Sequence, residues 1–423
     1  MPRDGSGIYT RPPGTNAVAD TTIESTKYNA NVADVETDLN APRPIIAGGT
    51  GANNAVDAAN NLGVVTGKGA QTFTEAEKAV ARSNIAAAPF DALAYNGMQI
   101  NGSMDVSQEK GAAGLVLSTP GANGGYIVDG WTCYHSNAAT RVVIAKQATL
   151  VGLLNGFSNG LLLNASTGGS YAAIGDMLLA NSGIEGFRTA RLFWGYAGAQ
   201  PITVGFWCFS TIGGTLAFSA QNGAINRSYV VDVPVIAGWQ YKTVTIPGDT
   251  TGTWAVDNTV GIKLGFCVTG SGGSRATPNT WSAGNLICTA NTTNLMATNG
   301  NNVYLTGVIV LPGTQAPTAA QSALIMRPYD QELVTCQRYF YNGAGDLAGH
   351  AITTNLVGAS HAFKRTMRTT PTITATYIAA VGSPGAFGLG QASPNDFAHY
   401  NTANNWTVTA MVFFQTLLAD ARL

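Results

Sequence analysis

Val260–Gly270, VGIKLGFCVTG, alternates without a break: Val260, Ile262, Leu264, Phe266 and Val268 fall on one face, Gly261, Lys263, Gly265, Cys267 and Thr269 on the other. A period of two sustained this long marks a strand with one face in a core. Ile202–Ser210, ITVGFWCFS, repeats the pattern, with Ile202, Val204, Phe206 and Cys208 opposed to Thr203, Gly205, Trp207 and Phe209. Further runs at Arg191–Trp194, Gly214–Ala220, Ser228–Val235, Trp239–Ile246 and Val303–Val310 are separated by Gly/Asn/Thr turns. Seven or more short strands at this spacing predict a jelly-roll-like β-sandwich over residues 111–326.

Residues 327–423 read as a small C-terminal β domain, with strands at Pro371–Ile378 and from Trp406 to Leu418. Between them VGSPGAFGLGQASPNDFAHYNTANN reads as a long loop carrying Phe387, Phe397, His399 and Tyr400. Loops of that length are commonly functional.

The N-terminal 110 residues have a different texture. Residues 1–40 are polar, with a helix expected over Thr22–Leu39 and a thin apolar stripe of Ile23, Val32, Val35 and Leu39. Residues 41–110 form a second region of short helices and turns. Across 41–89 only nine large apolar side chains are present, too few to offset the ordering of that much backbone. Local rules are nonetheless visible. Ala52, Ala55, Val56, Ala59 and Leu62 share a helical face that Gly63 ends, and a capping box from Thr74 to Glu77 opens a second helix through Ala79, Val80 and Ile85. Ala58, Asn61 and Leu62 match Ala81, Asn84 and Ile85 as a repeat of 23 residues. Two readings stay open here, a flexible linker or a shaft whose small residues line the axis of a symmetric oligomer. On the second, Val56, Ala59, Leu62, Ala79, Val80 and Ile85 face the axis. Further on, the Asn-Gly pairs around Met98 and Ile100 read as a hairpin or tight turns.

The 423 residues, at roughly 150 per domain, allow about three domains. Only 11% are charged, against about 25% in ordinary soluble domains, and 51 glycines help fill the difference. With a formal net charge of -1 there is no basic field for nucleic acid, and no segment has the length of apolar chain that membrane insertion needs. The start, MPRDGSGIYTRPPGT, lacks a signal-peptide core, so synthesis in a cytoplasm is expected. Cys133, Cys208, Cys267, Cys288 and Cys336 are scattered, odd in number and without a CxxC pair; they read as reduced core residues.

No enzyme signature emerges. Glycoside hydrolysis needs two placed carboxylates, and between residues 130 and 320 only Asp176, Glu185, Asp232, Asp249 and Asp257 occur. Asp249 and Asp257 flank the turn IPGDTTGTWAVDN, where they read as turn formers; with Asn258 they are secondary candidates for a structural calcium. No GxSxG, HExxH or P-loop is present. A non-enzymatic protein without cofactor is expected.

The chain resembles tail fibre proteins of tailed bacteriophages and of gene transfer agents. The N-terminal MPRDGSGIYTRPPGTNAVADTTIESTKYNANVADVETDLN resembles their virion-attachment end, and PRPIIAGGTGA, AANNLGV and EKAVARSNIAA resemble their shaft. LAYNGMQINGSMDVSQ, GIEGFRTARLFWGYAGAQPITVGFWCFS, RSYVVDVPV, YKTVTIPGDTTGTW and MRPYDQELVTCQRYF are similar to a carbohydrate-binding-like sandwich and its exit in such fibres.

The resemblance implies an elongated homotrimer on the virion tail, joined to a tail or baseplate protein by its N-terminus. It also implies a C-terminal tip that meets a host surface saccharide or other receptor. A polysaccharide depolymerase tailspike and a baseplate or collar protein without receptor contact are the alternatives. Trp194, Trp207, Trp239, Trp254 and Trp281 are expected in sandwich packing. The loop aromatics Phe387, Phe397, His399 and Tyr400, with Trp406 beyond them, are the expected receptor contacts.

Overall fold

In a computed structural model of the chain, the described residues are 22, 24–40, 49–52, 55–62, 77, 80–81, 97–343, 346–349, 351–353, 356–381, 386–402 and 410–423. They divide into two compact units, Met1–Ala87 and Ala88–Leu423.

In the first unit α1 spans Ser25–Asn40 and α2 spans Ala55–Asn61. Val32, Val35 and Leu39 are exposed along α1. Ala59 is buried, whereas Leu62 is 51% and Val80 60% exposed. Glu77, Val80 and Ala81 are helical, as the second capping box predicts. Ile23, Ala79 and Ile85 lie outside the described residues, as does the side chain of Val56.

The second unit is mainly β. Its strands begin with β1 (Leu115–Ser118), β2 (Gly121–Val128), β3 (Trp131–Asn137), β4 (Val142–Leu154), β5 (Phe157–Thr167) and β6 (Met177–Glu185). A short helix α3, Gly186–Thr189, follows. Then come β7 (Ile202–Ser210), β8 (Gly214–Asn222), β9 (Arg227–Val235), β10 (Gly238–Ile246), β11 (Val260–Gly270), β12 (Trp281–Ala283) and β13 (Asn302–Pro312). They form a six-stranded sheet, β1-β4-β5-β13-β7-β10, and a seven-stranded one, β12-β9-β8-β11-β6-β3-β2.

The two sheets meet face to face through the side chains that alternation assigned inward. Phe206 of β7 lies 5.0 Å from Phe266 of β11 and 6.1 Å from Phe218 of β8, ring centre to ring centre. Trp131 packs on Phe266 at 5.9 Å. Rings at these separations and tilts add to the area they bury, and this β-sandwich core contains Leu264, Val204, Val268 and Ile262.

Three local expectations change. Arg191–Trp194 is not a strand: Ala190–Leu192 is a 3-10 turn and Phe193 takes a left-handed φ of 56°. The aromatics there pack in a corner, Trp194 lying 4.6 Å from Trp254 and 5.4 Å from Trp281, so a pleated period does not apply. Trp207 faces away from the main core yet is buried, because residues 319–326 cover the outer face of the six-stranded sheet and Ser322 Oγ accepts its indole N–H at 3.0 Å. The stretch assigned to the end of the shaft, residues 98–106, belongs to the sandwich unit: Met98, Ile100, Met104 and Val106 are buried, and Trp131 Nε1 donates to Ile100 and Asn101 carbonyls. Tight turns there have Gly97, Asn101 and Met104 at positive φ.

Helix α4 (Tyr329–Gln337) leads into the C-terminal part. Sheets β14 (Phe340–Gly343), β15 (Asp346–Gly349), β18 (Thr372–Val381) and β21 (Ala410–Asp420), and β16 (Ala351–Thr353), β17 (Leu356–Ala362), β19 (Ala386–Ala392) and β20 (Asp396–Thr402), complete it. The expected long loop is therefore largely a β-hairpin. Glycine and asparagine conceal it in the sequence, since backbone pairing with β17 needs no apolar alternation.

Candidate functional site

Phe397, one of the expected receptor contacts in that hairpin, is 1% exposed. Its ring lies 5.7 Å from Phe363 and 5.4 Å from His361, in a cluster with Tyr341, Met367 and Leu417. It is a core residue of the C-terminal part. Phe387 falls on β19 and His399 and Tyr400 on β20, paired with Ala359 and Gly358. Trp406 lies outside the described residues.

The calcium candidates are otherwise engaged. Asp249 accepts Arg227 Nε at 2.7 Å and Nη2 at 2.8 Å. Burial pushes its carboxyl up, but the hydrogen bonds of Arg227 and Thr251 outweigh this and hold it below the usual range. Asp257 accepts the Thr259 hydroxyl at 2.6 Å and backbone N–H at 2.9 Å. Asn258 Nδ2 donates to the Arg368 carbonyl. Among the described residues no cluster of three or more His, Cys, Asp and Glu side chains could hold a metal.

The other three carboxylates between residues 130 and 320 are also committed to structure. Asp176 accepts the N–H groups of Ala138 and Ala173, each at 2.9 Å. Glu185 accepts Arg338 at 2.6 and 3.1 Å and Tyr339 at 2.7 Å. Asp232 accepts Thr289 at 2.5 Å and Asn291 at 2.7 Å.

Two adjoining cavities, of about 590 and 270 Å³, lie on the outer face of the seven-stranded sheet and share Thr132, Asn181, Ile225 and Lys263. Together they make a trough across β3, β6, β11 and β8. Register explains its floor. Thr132 and Asn181 are cross-strand partners, and Gly183, Lys263 and Gln221 form the next row on the same face. Partners in a ladder point to the same face, so amides, a hydroxyl and one ammonium group line up side by side. Ser219 and Ser228, which continue the two rows, are fully buried.

The polar groups are held in place. Thr132 Oγ1 donates to Asn181 Oδ1 at 2.7 Å, and Gln221 Nε2 donates to Asn285 Oδ1 at 2.9 Å and Ser228 Oγ at 3.0 Å. Tyr134, 39% exposed, stands on one wall. On the side toward β12, Ile287 and Leu179 line the larger cavity, and the segment bearing Ile287 and Cys288 packs with Leu179, Ala217, Val230 and Cys267. At the other end Tyr126 stacks under Arg422, whose guanidinium lies 4.0 Å from the ring centre.

Two features of the trough are costly to the fold. Lys263 is half-buried, and burial lowers its pKa with no neighbouring charge offsetting it. Ile225, on the rim, has φ of 49°, a left-handed conformation that β-branched residues avoid. Strain of this kind concentrates at functional sites.

Sequence reasoning read Lys263 only as the outward side of a strand and did not place Thr132, Asn181, Gln221 or Ile225 at a site. The cross-strand rows that join them have no local signal.

No protein-family model matches the chain, and no curated protein matches it. Solved structures similar to part of it include the enzymatically active domain of bacteriophage CBA120 tailspike protein 4. That match has 12% identity and a TM-score of 0.26, covering 52% of this chain and 22% of the tailspike chain. Another is the carbohydrate-binding module TmCBM61 in complex with β-1,4-galactotriose, at 14% identity and TM-score 0.23, covering 40% of this chain and 81% of the module. A third is the family 11 carbohydrate-binding module of Clostridium thermocellum with a mixed-linked tetrasaccharide, at 14% identity and TM-score 0.24, covering 47% and 100%. The chain thus spans about a fifth of the tailspike domain's length.

Proposed function

We propose that this protein is the subunit of a trimeric tail fibre that attaches a virion to a bacterial surface saccharide by binding it without cleavage, and that the trough is the saccharide site. The observation that carries the reading is the set of fixed amide and hydroxyl groups of Thr132, Asn181, Gln221 and Asn285 beside Tyr134, in a cleft open enough for an oligosaccharide. Sugars are held by such groups with an aromatic wall. Non-catalytic binding accords with the cavity linings, in which no Asp or Glu side chain takes part, and with the structural hydrogen bonds of Asp176, Glu185, Asp232, Asp249 and Asp257.

Assembly through the N-terminal unit is supported by the exposed apolar groups of its helices, Val32, Val35, Leu39, Leu62 and Val80, which a lone chain leaves in water. The order of fibre-like motifs supports attachment of that end to a tail or baseplate protein in the virion. Purified full-length protein incubated with host cells tests the reading. It should block adsorption of the particle and leave host polysaccharide at its original length. Shortened chains would identify a depolymerase, and undiminished adsorption would favour a baseplate or collar role.

A further inference from the structure

Lys263 is the only Lys side chain lining the two cavities, and the other cation there, Arg422, is taken. Arg422 forms ion pairs with Asp420 and Glu109. Lys263 has none: its cross-strand partners are Gly183 and Gln221, and no described carboxylate comes within ion-pair distance of it. An ammonium group drawn out of water without a counter-charge is unfavourable unless something else meets it. The fold places this one at the junction of the two cavities, with amides on either side and no acidic side chain to repel an incoming anion.

We infer that the trough selects an acidic saccharide, seating a carboxylate or phosphate substituent of the glycan on Lys263 while Asn181 and Thr132 meet its hydroxyls. This rests on the saccharide reading above and adds the chemical class of the sugar. A charge-assisted hydrogen bond in a partly dry cleft is stronger than a neutral one. A lysine suits a single anionic oxygen group approached from several directions, whereas a planar guanidinium fixes one orientation.

Calorimetric titration of the full-length protein with matched pairs decides it: uronic-acid oligosaccharides against the same chains with carboxyl groups reduced to alcohols, and phosphorylated oligosaccharides against their dephosphorylated forms. The wild type should bind the acidic member of a matched pair about tenfold more tightly, since a charge-assisted contact contributes roughly 1.5 kcal/mol or more. The pair that discriminates tells carboxylate from phosphate. That advantage should shrink as salt rises, collapse toward equality in Lys263→Gln, and persist in Lys263→Arg, which keeps the charge and controls for folding. Equal affinity for both members in the wild type, or an undiminished advantage in Lys263→Gln, overturns the acidic preference and leaves saccharide binding intact. Binding to no member of any pair overturns both.

Discussion

Lys263 stands directly across the ladder from Gln221, at the centre of the seven-stranded sheet and on the face turned away from the core. The pair joins a side chain whose amide Nε2 is hydrogen-bonded within the protein to one that burial leaves without a neighbouring charge. On the proposed reading, that asymmetry favours the trough as the saccharide site over the aromatic hairpin of the C-terminal part.

Replacing Lys263 with Met should therefore raise stability in the absence of ligand. Removing a half-desolvated, uncompensated charge while keeping its apolar stem should gain about 1 kcal/mol, or roughly 2 °C in a unit of this size. Differential scanning calorimetry reads the shift. A fall in melting temperature would show that the ammonium group has a stabilising partner.

Ile225→Asn should leave stability nearly unchanged. Asparagine tolerates the left-handed conformation that isoleucine resists, and the relief is worth about 1 kcal/mol. Ile225 is 37% exposed, so its loss gives up roughly 1 to 2 kcal/mol of apolar burial, which offsets that relief. The urea midpoint checks the balance, and a fall much beyond about 2 kcal/mol would show that the backbone at Ile225 stores no strain.

Arg227→Ala should destabilise strongly. It leaves Asp249 buried without its bidentate partner, and removes a guanidinium lying 5.8 Å from the Trp281 ring centre. Breaking such a pair costs about 3 kcal/mol. The double variant with Asp249→Asn should recover part of the loss, and a double-mutant cycle by denaturant unfolding measures how much.

Asp129 should give the fold a pH dependence between about 4 and 6. Burial pushes its carboxyl up to about 6 against the hydrogen bonds of Gln108, from 3.8 in the unfolded chain. The native state then holds the extra proton in this window, so stability falls as pH rises through it and stays lower above it. Arg422 and Glu109, also near the group, act on it in opposite directions. Wild type minus Asp129→Asn should fall by up to about 2 to 3 kcal/mol from pH 4 to pH 7. A flat difference would contradict the assignment.

Much of the sandwich was legible in the sequence because β7 and β11 alternate so regularly that Phe206 and Phe266 could be turned inward before any contact was known. Phe397 was misplaced because its neighbours are Gly, Ser, Asn and Ala, which hide a strand paired through its backbone. The trough was invisible for a different reason. Thr132, Asn181, Gln221 and Lys263 are brought together by sheet order, and the isolation of Lys263 depends on which carboxylates the fold commits elsewhere. A single sequence carries no local mark of either.

The most direct measurement is hydrogen exchange of the full-length protein with and without the surface polysaccharide of a host whose adsorption it blocks. Slowed exchange confined to the loop and strand edges around residues 132–134, 181–183, 221–226 and 285–287 is the predicted result. Slowed exchange only within 341–420, or none anywhere, would contradict the assignment of the trough as the saccharide site.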